Sequence, residues 1–284
     1  MIGFVGLGNL GRAIANRLIS KGHRLLVWNR TRQKAEGLDA RIASSLKEVV
    51  SEAEVVFLCL FDSRAVKAVL TAKEGLLSED VKDKVIIDLS TNHFRDVLNF
   101  YRLCEERGAH YLESPVLGSV VPASQGALTV LTGGERKAYE RVKPLLQDIG
   151  RHLFYFEKPT VATKMKLINN LTLGSFMATL AEAIALAEDA GIDRSEAIEI
   201  LSVGGGNSLV LNAKREKLLK EDFSTHFSNA LIYKDLHCLQ DLAFEMKRPL
   251  FTASVVKELF GETCKEGFSD EDFSSIYKLF KRKG

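Results

Sequence analysis

The stretch Ile2-Gly3-Phe4-Val5-Gly6-Leu7-Gly8-Asn9-Leu10-Gly11 decides the fold of the first half of this 284-residue chain. A short apolar run, typical of a buried β-strand, passes through the pattern G-x-G-x-x-G into an amphipathic segment, Leu10–Lys21. Strand, glycine turn and helix in this order open a dinucleotide-binding βαβ unit. In such a unit Gly6 permits the tight turn, Gly8 lets the backbone approach a pyrophosphate, and Gly11 lets the helix pack against the strand.

This turn predicts a dinucleotide site whose contacts come from Gly6, Leu7, Gly8, Asn9 and Leu10. Free N–H groups at the start of the following helix would bind the phosphate charge. The alternative is a glycine-rich turn without a ligand. The strand before the turn and the helix after it favour the binding site.

The end of the second predicted strand, Leu25–Trp28, indicates which dinucleotide is bound. An NAD site usually has Asp or Glu there, about 20 residues after the glycines, to bond the ribose 2′-OH. This chain has Asn29, Arg30, Thr31 and Arg32 instead. Arg30 can clamp a 2′-phosphate and Thr31 can donate a hydrogen bond, so NADP(H) is expected to be preferred over NAD(H). The alternative is that Arg30 and Arg32 form a solvated helix start.

Short apolar runs alternate with helical patterns from residue 1 to about 156. The predicted strands are Ile2–Val5, Leu25–Trp28, Val55–Leu60, Val85–Asp88, Ala109–Leu112, Leu128–Leu131 and His152–Phe156. The predicted helices are Leu10–Lys21, Ser45–Ala53, Asp62–Leu70, Phe94–Arg107 and Glu135–Ile149. Unbroken apolar strands separated by helices indicate a mostly parallel sheet covered on both faces, which is an α/β Rossmann-type domain.

The pattern changes after Pro159. From Thr163 to Ala190 small and apolar residues recur at helical spacing, which predicts one helix roughly 40 Å long. Gly191 supplies its C-cap, and the rest of the chain reads as helix and loop. We therefore expect a dinucleotide-binding domain at 1–159 and an all-α domain at 160–284, joined by a long interdomain helix.

Composition excludes several classes of protein. Hydrophobic residues make up 46% of the chain and charged residues 27%, both near globular averages, which excludes a disordered chain. The net charge is +2, so no nucleic-acid partner is expected. The longest unbroken apolar run, Val55–Phe61, is too short to span a membrane. The chain shows no positive leader, no C-x-x-C pair and no metal-ligand pattern, so a cytoplasmic protein with reduced thiols and no metal is expected.

Four segments in order resemble the β-hydroxyacid dehydrogenase family, which includes 3-hydroxyisobutyrate dehydrogenase and the glyoxylate/succinic semialdehyde reductases. They are Gly3–Gly11; Glu113–Ser119 with Pro122-Ala123 and Gly126–Leu128; the K-x-x-N-N segment Lys166–Asn170; and Lys234–Leu236. The resemblance covers nearly the whole chain and implies a two-domain oxidoreductase that uses a nicotinamide cofactor. It also implies that the all-α domain at 160–284 is a substrate and dimerisation domain.

The resemblance also implies further site residues. Gly118 and Ser119 follow a predicted strand and would hold a substrate carboxylate with backbone N–H groups and a hydroxyl; the alternative is a plain turn. Five further residues would contact the cofactor, and Lys234 among them would do so across the interdomain cleft. The implied cofactor contacts outside the first turn and second strand are Leu60, Phe61, Thr91, Phe227 and Lys234.

Lys166 and Asn170 lie four residues apart at the start of the predicted long helix, so both project from one face. Carbonyl reduction needs a hydride, which a nicotinamide supplies, and a proton for the forming alkoxide. As the catalytic residue, Lys166 can polarise the carbonyl and donate that proton, while Asn170 can bind the substrate oxygens. The alternative is that Lys166 is an ordinary exposed helix lysine, which is how we interpret Lys164.

The chain departs from the family pattern in three places. The usual S-G-G is Leu117–Ser119, the glycines that often precede the catalytic lysine are Thr160 and Ala162, and the D-x-S-T motif is followed by His93 rather than proline. The run Gly118-Ser119-x-x-Pro122-Ala123 is shared with the glyoxylate and succinic semialdehyde reductases. The fold and the hydride chemistry follow from the resemblance; the identity of the substrate does not.

We therefore expect an NADPH-dependent reductase that converts small aldehyde acids into hydroxy acids. The alternatives are an NAD(P)-dependent 3-hydroxyisobutyrate-type dehydrogenase, an enzyme related to imine reductases or 6-phosphogluconate dehydrogenases, and a non-catalytic NADP-binding module. Small residues at 174, 178, 181 and 185 would let another helix approach closely, either inside the second domain or in a dimer. A homodimer or homotetramer is expected, with no membrane partner.

Overall fold

The computed structural model describes residues 1–281. They divide into two compact units, the first Met1–Lys166 and the second beginning at Leu167. The division falls inside a long helix. The expected domain bounds of 1–159 and 160–284 stay a prediction.

Nine strands of the described chain form one sheet in the first unit. They are β1 (Ile2–Val5), β2 (Leu25–Trp28), β3 (Arg41–Ile42), β4 (Val55–Leu58), β5 (Val85–Asp88), β6 (His110–Glu113), β7 (Val116–Leu117), β8 (Leu128–Gly133) and β9 (Gly150–Phe156). The strand order is β3-β2-β1-β4-β5-β6-β8-β7, with β9 beside β8. All pairs among β1 to β6 are parallel, β8 is antiparallel to β6 and β7, and β9 is parallel to β8. The predicted mostly parallel sheet is confirmed.

Helices cover both faces of this sheet because successive strand residues point to opposite sides. Phe4 packs into a core cluster with Ile14 and Val142, whereas its neighbour Val5 packs into a second cluster with Val97. The helices that carry these clusters are α1 (Asn9–Ser20), α2 (Leu46–Glu52), α3 (Ser63–Thr71), α4 (Phe94–Glu105), α5 (Val120–Gln125) and α6 (Arg136–Ile149). Strand β1 thus lies inside the sheet, between β2 and β4, with a buried core on each face.

Three short elements of this unit were not predicted: β3, β7 and α5. In β3 the exposed, charged Arg41 gives no apolar signal, and only pairing with β2 defines the strand. Strand β4 ends two residues earlier than predicted. Beyond it the Leu60 N–H donates to Ser90 Oγ at 2.9 Å rather than to a neighbouring strand.

Outside the first unit the described chain is helical, apart from one isolated bridge between Ser228 and Asp272. The long helix α7 (Val161–Asp189) begins in the first unit and continues into the second. It is followed by α8 (Arg194–Val203), α9 (Leu209–Lys220), α10 (Asn229–Glu245), α11 (Phe251–Lys265) and α12 (Tyr277–Phe280). The prediction of a long helix followed by a helical region is confirmed.

Helix α7 is long and apolar enough, by length and composition, to cross a membrane. Its small residues have a packing role within the second unit. A methyl group at Gly174 would lie 3.3 Å from both Phe260 and Val256 of α11, and Ala181 is fully buried. The small-residue stripe therefore allows close helix packing inside the chain, which is the first of its two interpretations.

Candidate active site

The β1–α1 turn has the geometry that a bound pyrophosphate requires. Gly6 has a φ of 101°, and a methyl group there would overlap the Cys59 carbonyl. A methyl group at Gly11 would overlap the Gly6 carbonyl, so these two glycines are needed by the fold itself. Gly8 differs, because it is exposed and a methyl group there would meet nothing within 4 Å. The fold leaves open space at the glycine assigned to the pyrophosphate, so the turn fits a dinucleotide.

Asn29 joins this turn to the end of β2. Its Oδ1 accepts a hydrogen bond from the Leu7 N–H at 2.8 Å, and its Nδ2 donates to the Thr31 carbonyl at 2.8 Å. The structure therefore brings together three residues that the sequence assigned to the cofactor. Arg30 and Thr31 are both exposed in the loop that Asn29 fixes.

A second side chain, Arg12 of α1, holds the same loop. Its guanidinium donates to the carbonyl oxygens of Lys34 and Glu36 at 2.7 and 2.8 Å. Arg12 follows directly after the glycine motif, and the sequence analysis did not assign it a role. The cationic loop after β2 is thus anchored at both of its ends.

The loops after β4 and β5 are organised by Asp88, another residue that the sequence analysis did not assign to the site. Asp88 is fully buried and accepts hydrogen bonds from the Ser90 N–H, the Asn92 side chain and the Tyr111 hydroxyl. Burial raises the pKa of its carboxyl group, against these hydrogen bonds. Ser90 in turn accepts from the Leu60 N–H, so one buried carboxyl group fixes both loops.

The predicted cofactor contacts on these two loops differ in exposure. Leu60 and Thr91 are half-buried, and Phe61 is exposed. All three lie at the carboxyl ends of parallel strands, where open α/β sheets bind their ligands.

Gly118 and Ser119 lie between β7 and α5. Gly118 is exposed with a φ of 114°, and a methyl group there would lie 2.8 Å from Leu128 Cδ2. Ser119 is the residue before the first turn of α5. The segment is a strand–turn–helix connection, and the binding of a substrate carboxylate by Gly118 and Ser119 stays a prediction.

Helix α7 places Lys166 on its buried face. The Lys166 side chain is 7% exposed, while its neighbour Met165 is 40% exposed. Thr163 and Asn170, three residues before and four after Lys166, are buried as well, so the three form one stripe along the helix. Lys166 is therefore not an exposed helix lysine. Lys164 is half-buried, with its Nζ 5.7 Å from the centre of the Phe94 ring.

In the second unit a buried carboxylate connects Asn170 to Lys234. Asn170 Nδ2 donates to Asp235 Oδ2 at 2.7 Å, and Lys234 Nζ lies 2.7 Å from Asp235 Oδ1. Asp235 lies in the motif Lys234–Leu236, which did not indicate a role for it. One Asn170 donor is occupied by Asp235, which leaves the second amide hydrogen for a substrate oxygen.

Phe227 lies on the loop before α10, and Asp272 fixes its backbone. Asp272 is fully buried and accepts the Phe227 N–H at 3.1 Å and the Lys214 ammonium at 2.9 Å. The Phe227 ring packs edge-on against Phe273, with the ring centres 5.7 Å apart. A buried ion pair therefore holds a residue that the sequence assigned to the cofactor.

Both halves of the chain match models of known families. Residues 1–157 match the model of the NAD binding domain of 6-phosphogluconate dehydrogenase. Residues 161–280 match the model described as the NAD-binding of NADP-dependent 3-hydroxyisobutyrate dehydrogenase. The chain belongs to the β-hydroxyacid dehydrogenase family. The resemblance stated from its motifs is confirmed, and so is the binding of NAD(P).

Two proteins that are similar in sequence to this chain have different names. Glyoxylate/succinic semialdehyde reductase 2 of Arabidopsis thaliana, a chloroplastic protein, is 32% identical over 283 residues, covering 99% of this chain and 79% of that protein. Cytokine-like nuclear factor N-PAC of Mus musculus is 33% identical over 279 residues, covering 98% of this chain. The chain spans 50% of that nuclear factor.

The structure of Psf3 in complex with NADP+ and 2-OPP is similar to this fold over its whole length. Its TM-score is 0.93 at 26% sequence identity, covering 99% of this chain and 100% of that chain. The family to which the chain belongs is one of NAD(P)-dependent dehydrogenases and reductases.

Proposed function

We propose that this member of the β-hydroxyacid dehydrogenase family is an NADPH-dependent reductase of small aldehyde acids, of the glyoxylate or succinic semialdehyde type. The observation that carries the proposal is the placement of Lys166. It is a lysine on a buried helix face, within the compact unit that also carries the dinucleotide turn. A binding module has no need of a buried amine there, because burying an ammonium group costs free energy.

The choice of NADPH rests on the loop after β2. Arg30, Thr31 and Arg32 are exposed there, and Asn29 and Arg12 fix the backbone that carries them. A planar guanidinium suits a phosphate, and no carboxylate stands where an NAD enzyme binds the ribose hydroxyls. The NADP+ complex of Psf3 supports the same choice.

The substrate class rests on two further points. The Arabidopsis relative is named a glyoxylate/succinic semialdehyde reductase. Gly118 and Ser119 offer an exposed backbone and a hydroxyl at the carboxyl side of the sheet, where a substrate carboxylate would be bound.

The chemistry assigns a separate task to each residue. NADPH, when bound, supplies the hydride for the carbonyl carbon. Lys166 Nζ donates a proton to the carbonyl oxygen as that oxygen gains charge, and it accepts the proton back when the reaction runs in reverse. Asn170, held by Asp235, donates its remaining amide hydrogen to a substrate oxygen.

A panel of aldehydes tests the proposal. Glyoxylate, succinic semialdehyde and methylmalonate semialdehyde are offered with NADPH and with NADH, and loss of the reduced nicotinamide absorbance is followed. We expect turnover with NADPH for at least one of them and a lower kcat/KM with NADH. Propanal, which lacks a carboxylate, is the control and should react poorly. Absence of turnover with every aldehyde acid, at saturating NADPH, would refute the proposal.

A non-catalytic NADP-binding module is the second candidate, because several relatives over nearly the whole chain are called nuclear factors. Calorimetric titration with NADPH separates the two candidates. Tight NADPH binding together with no turnover on the panel would favour the module.

A further inference from the structure

Glu113, the last residue of β6, contacts the first turn of the helix that carries Lys166. Its side chain is 1% exposed. Its Oε2 accepts a hydrogen bond from the Thr163 N–H at 3.0 Å and a second one from the Thr163 hydroxyl. Glu113 has no part in the mechanism described above.

Through this contact Glu113 acts as an N-terminal cap of α7. Thr163 is the third residue of α7, and its N–H is one of the donors that lack a partner inside the helix. An N-cap side chain normally accepts this hydrogen bond, whereas here a carboxyl group fifty positions away along the chain accepts it. A negative charge at this end of α7 also interacts favourably with the helix dipole.

The capped turn lies next to Lys166. Thr163 and Lys166 are three residues apart and both are buried, so they are neighbours on one face of the helix. Any rotation or fraying of the first turn would therefore displace the Lys166 amine. The two hydrogen bonds from Thr163 to Glu113 restrain this rotation.

Burial of the Glu113 carboxylate lowers the stability of the folded state. Burial raises the pKa of Glu113 to about 7, although its hydrogen bonds with Thr163 oppose the rise. The charge of Asp88 of β5 raises this pKa further, and the Tyr101 hydroxyl of α4 accepts the Glu113 N–H at 3.5 Å. Because the folded-state pKa lies above that of an unfolded glutamate, the stability that the protonated side chain contributes is complete below the ordinary glutamate pKa and is lost as pH rises through about 7. A methyl group at Gly133 would overlap the carboxyl group, so the fold leaves space for this group.

We propose that Glu113 is a positioning residue for the reaction: it fixes the first turn of α7 through Thr163 and so places the Lys166 amine. The inference rests on the proposed reductase function. Glu113 holds the backbone and touches neither the substrate nor the cofactor.

Two substitutions of Glu113 test the proposal. Glu113→Ala removes the acceptor and should lower kcat about tenfold or more while the KM for NADPH changes less than about twofold, because a small displacement of a catalytic group is enough for such a loss. Glu113→Gln keeps an acceptor for Thr163 and should recover most of kcat. A kcat unchanged in the alanine variant, or a glutamine variant as slow as alanine, would overturn the proposal.

Substitutions of Thr163 test the proposal even if Glu113→Ala does not fold. Thr163→Val keeps the side-chain shape and removes the hydroxyl donor, so kcat should fall by a smaller factor, and Thr163→Ser should restore it. Ser45→Ala is the matched control, because Ser45 caps α2 through the Glu48 N–H at 3.1 Å. Its Tm should fall with kcat unchanged, whereas a loss of kcat equal to that of Thr163→Val would contradict the proposal.

A measurement without turnover separates this inference from the proposed function. Trace acetylation followed by peptide mass analysis gives the reactivity of each lysine. Glu113→Ala should change the reactivity of Lys166 several-fold and leave that of Lys84, which donates to the Ala53 carbonyl, unchanged. Inactivity of the wild type on the aldehyde panel would refute the reductase. Unchanged Lys166 labelling in Glu113→Ala would refute the positioning role.

Discussion

Lys166 is the side chain on which the proposed chemistry depends. Because its amine is buried beside the first turn of α7, Lys166→Ala should lower kcat by roughly 10²-fold or more through loss of proton transfer, with the affinity for NADPH nearly unchanged. Steady-state kinetics and an NADPH titration measure the two quantities. Lys164→Ala is the control, and its kcat should stay close to that of the wild type. A Lys166→Ala enzyme with normal turnover would end the mechanism.

Arg30 bears on the choice of cofactor. Its exposed guanidinium lies directly after β2, so Arg30→Ala should raise the KM for NADPH about tenfold, the worth of one charge-assisted hydrogen bond. The KM for NADH should change little, since NADH has no 2′-phosphate. Initial rates at varied cofactor concentration give both constants. Equal changes in the two would show that Arg30 does not bind the 2′-phosphate.

At the scale of the element, two glycines of the β1–α1 turn have different roles. Gly11 is needed for stability and Gly8 for cofactor binding. Gly11→Ala should destabilise the protein by about 1–3 kcal/mol, because its methyl group overlaps the Gly6 carbonyl. Gly8→Ala should change stability by less than about 0.5 kcal/mol, since nothing lies within 4 Å of the added methyl group. It should nevertheless weaken NADPH binding, because the methyl group occupies the approach to the pyrophosphate. Denaturant titration and calorimetry measure the two effects. Unchanged NADPH affinity in Gly8→Ala would place the pyrophosphate elsewhere.

The Lys214–Asp272 ion pair holds α9 to the segment before α12 in the second unit. Burial opposes ionisation of Asp272, but Lys214 at 2.8 Å and the hydrogen bonds around it outweigh this and lower the pKa of Asp272. The stability that this carboxylate contributes is therefore complete above the ordinary pKa of an aspartate and is lost as pH falls through the lowered one. Asp272→Asn should cost about 3–5 kcal/mol at neutral pH, because Lys214 stays buried without its partner.

Urea titrations between pH 2 and 7 test this prediction. The difference in stability between the wild type and Asp272→Asn should shrink as the solution becomes more acidic. Glu271→Gln, which breaks the half-exposed ion pair with Lys278, is the control and should cost less than about 1 kcal/mol. A stability difference that does not depend on pH would contradict the assignment.

At the scale of the whole molecule, most of the exposed large apolar side chains of residues 1–281 lie in the second unit. Phe244 and Phe251 are 82% and 83% exposed. Apolar surface of this kind is typical of an interface, which supports the expected homodimer or homotetramer. Light scattering should give a mass at least twice that of one chain. Phe244→Glu with Phe251→Glu should lower it, whereas Leu98→Glu, at a similarly apolar exposed position of the first unit, should not. A monomeric wild type would refute the expectation.

Much of the fold could be predicted because its signals are local. The strand Ile2–Val5, the glycine turn and the helix after it were predicted nearly to the residue, since apolar runs and glycines there have few alternative conformations. Strand β3 and helix α5 were not predicted, because pairing with β2 and a short connection define them rather than any pattern of their own. The candidate site residues came mainly from motifs, and the motifs did not reveal that Asp235 holds Asn170.

The parallel sheet, the dinucleotide turn, the long helix and the lysine near its start are all predictable from the sequence. The reason is that periodicity, glycine spacing and motif order are properties of neighbouring residues. Only the tertiary structure decided that Lys166 is buried, that Asn29 bridges two loops and that Glu113 caps α7. The two hydrogen bonds join residues 22 and 50 positions apart in the chain, which folding alone brings within hydrogen-bond distance. Burial and hydrogen bonding at such separations leave no periodic trace in a sequence, since any polar residue can occupy either end.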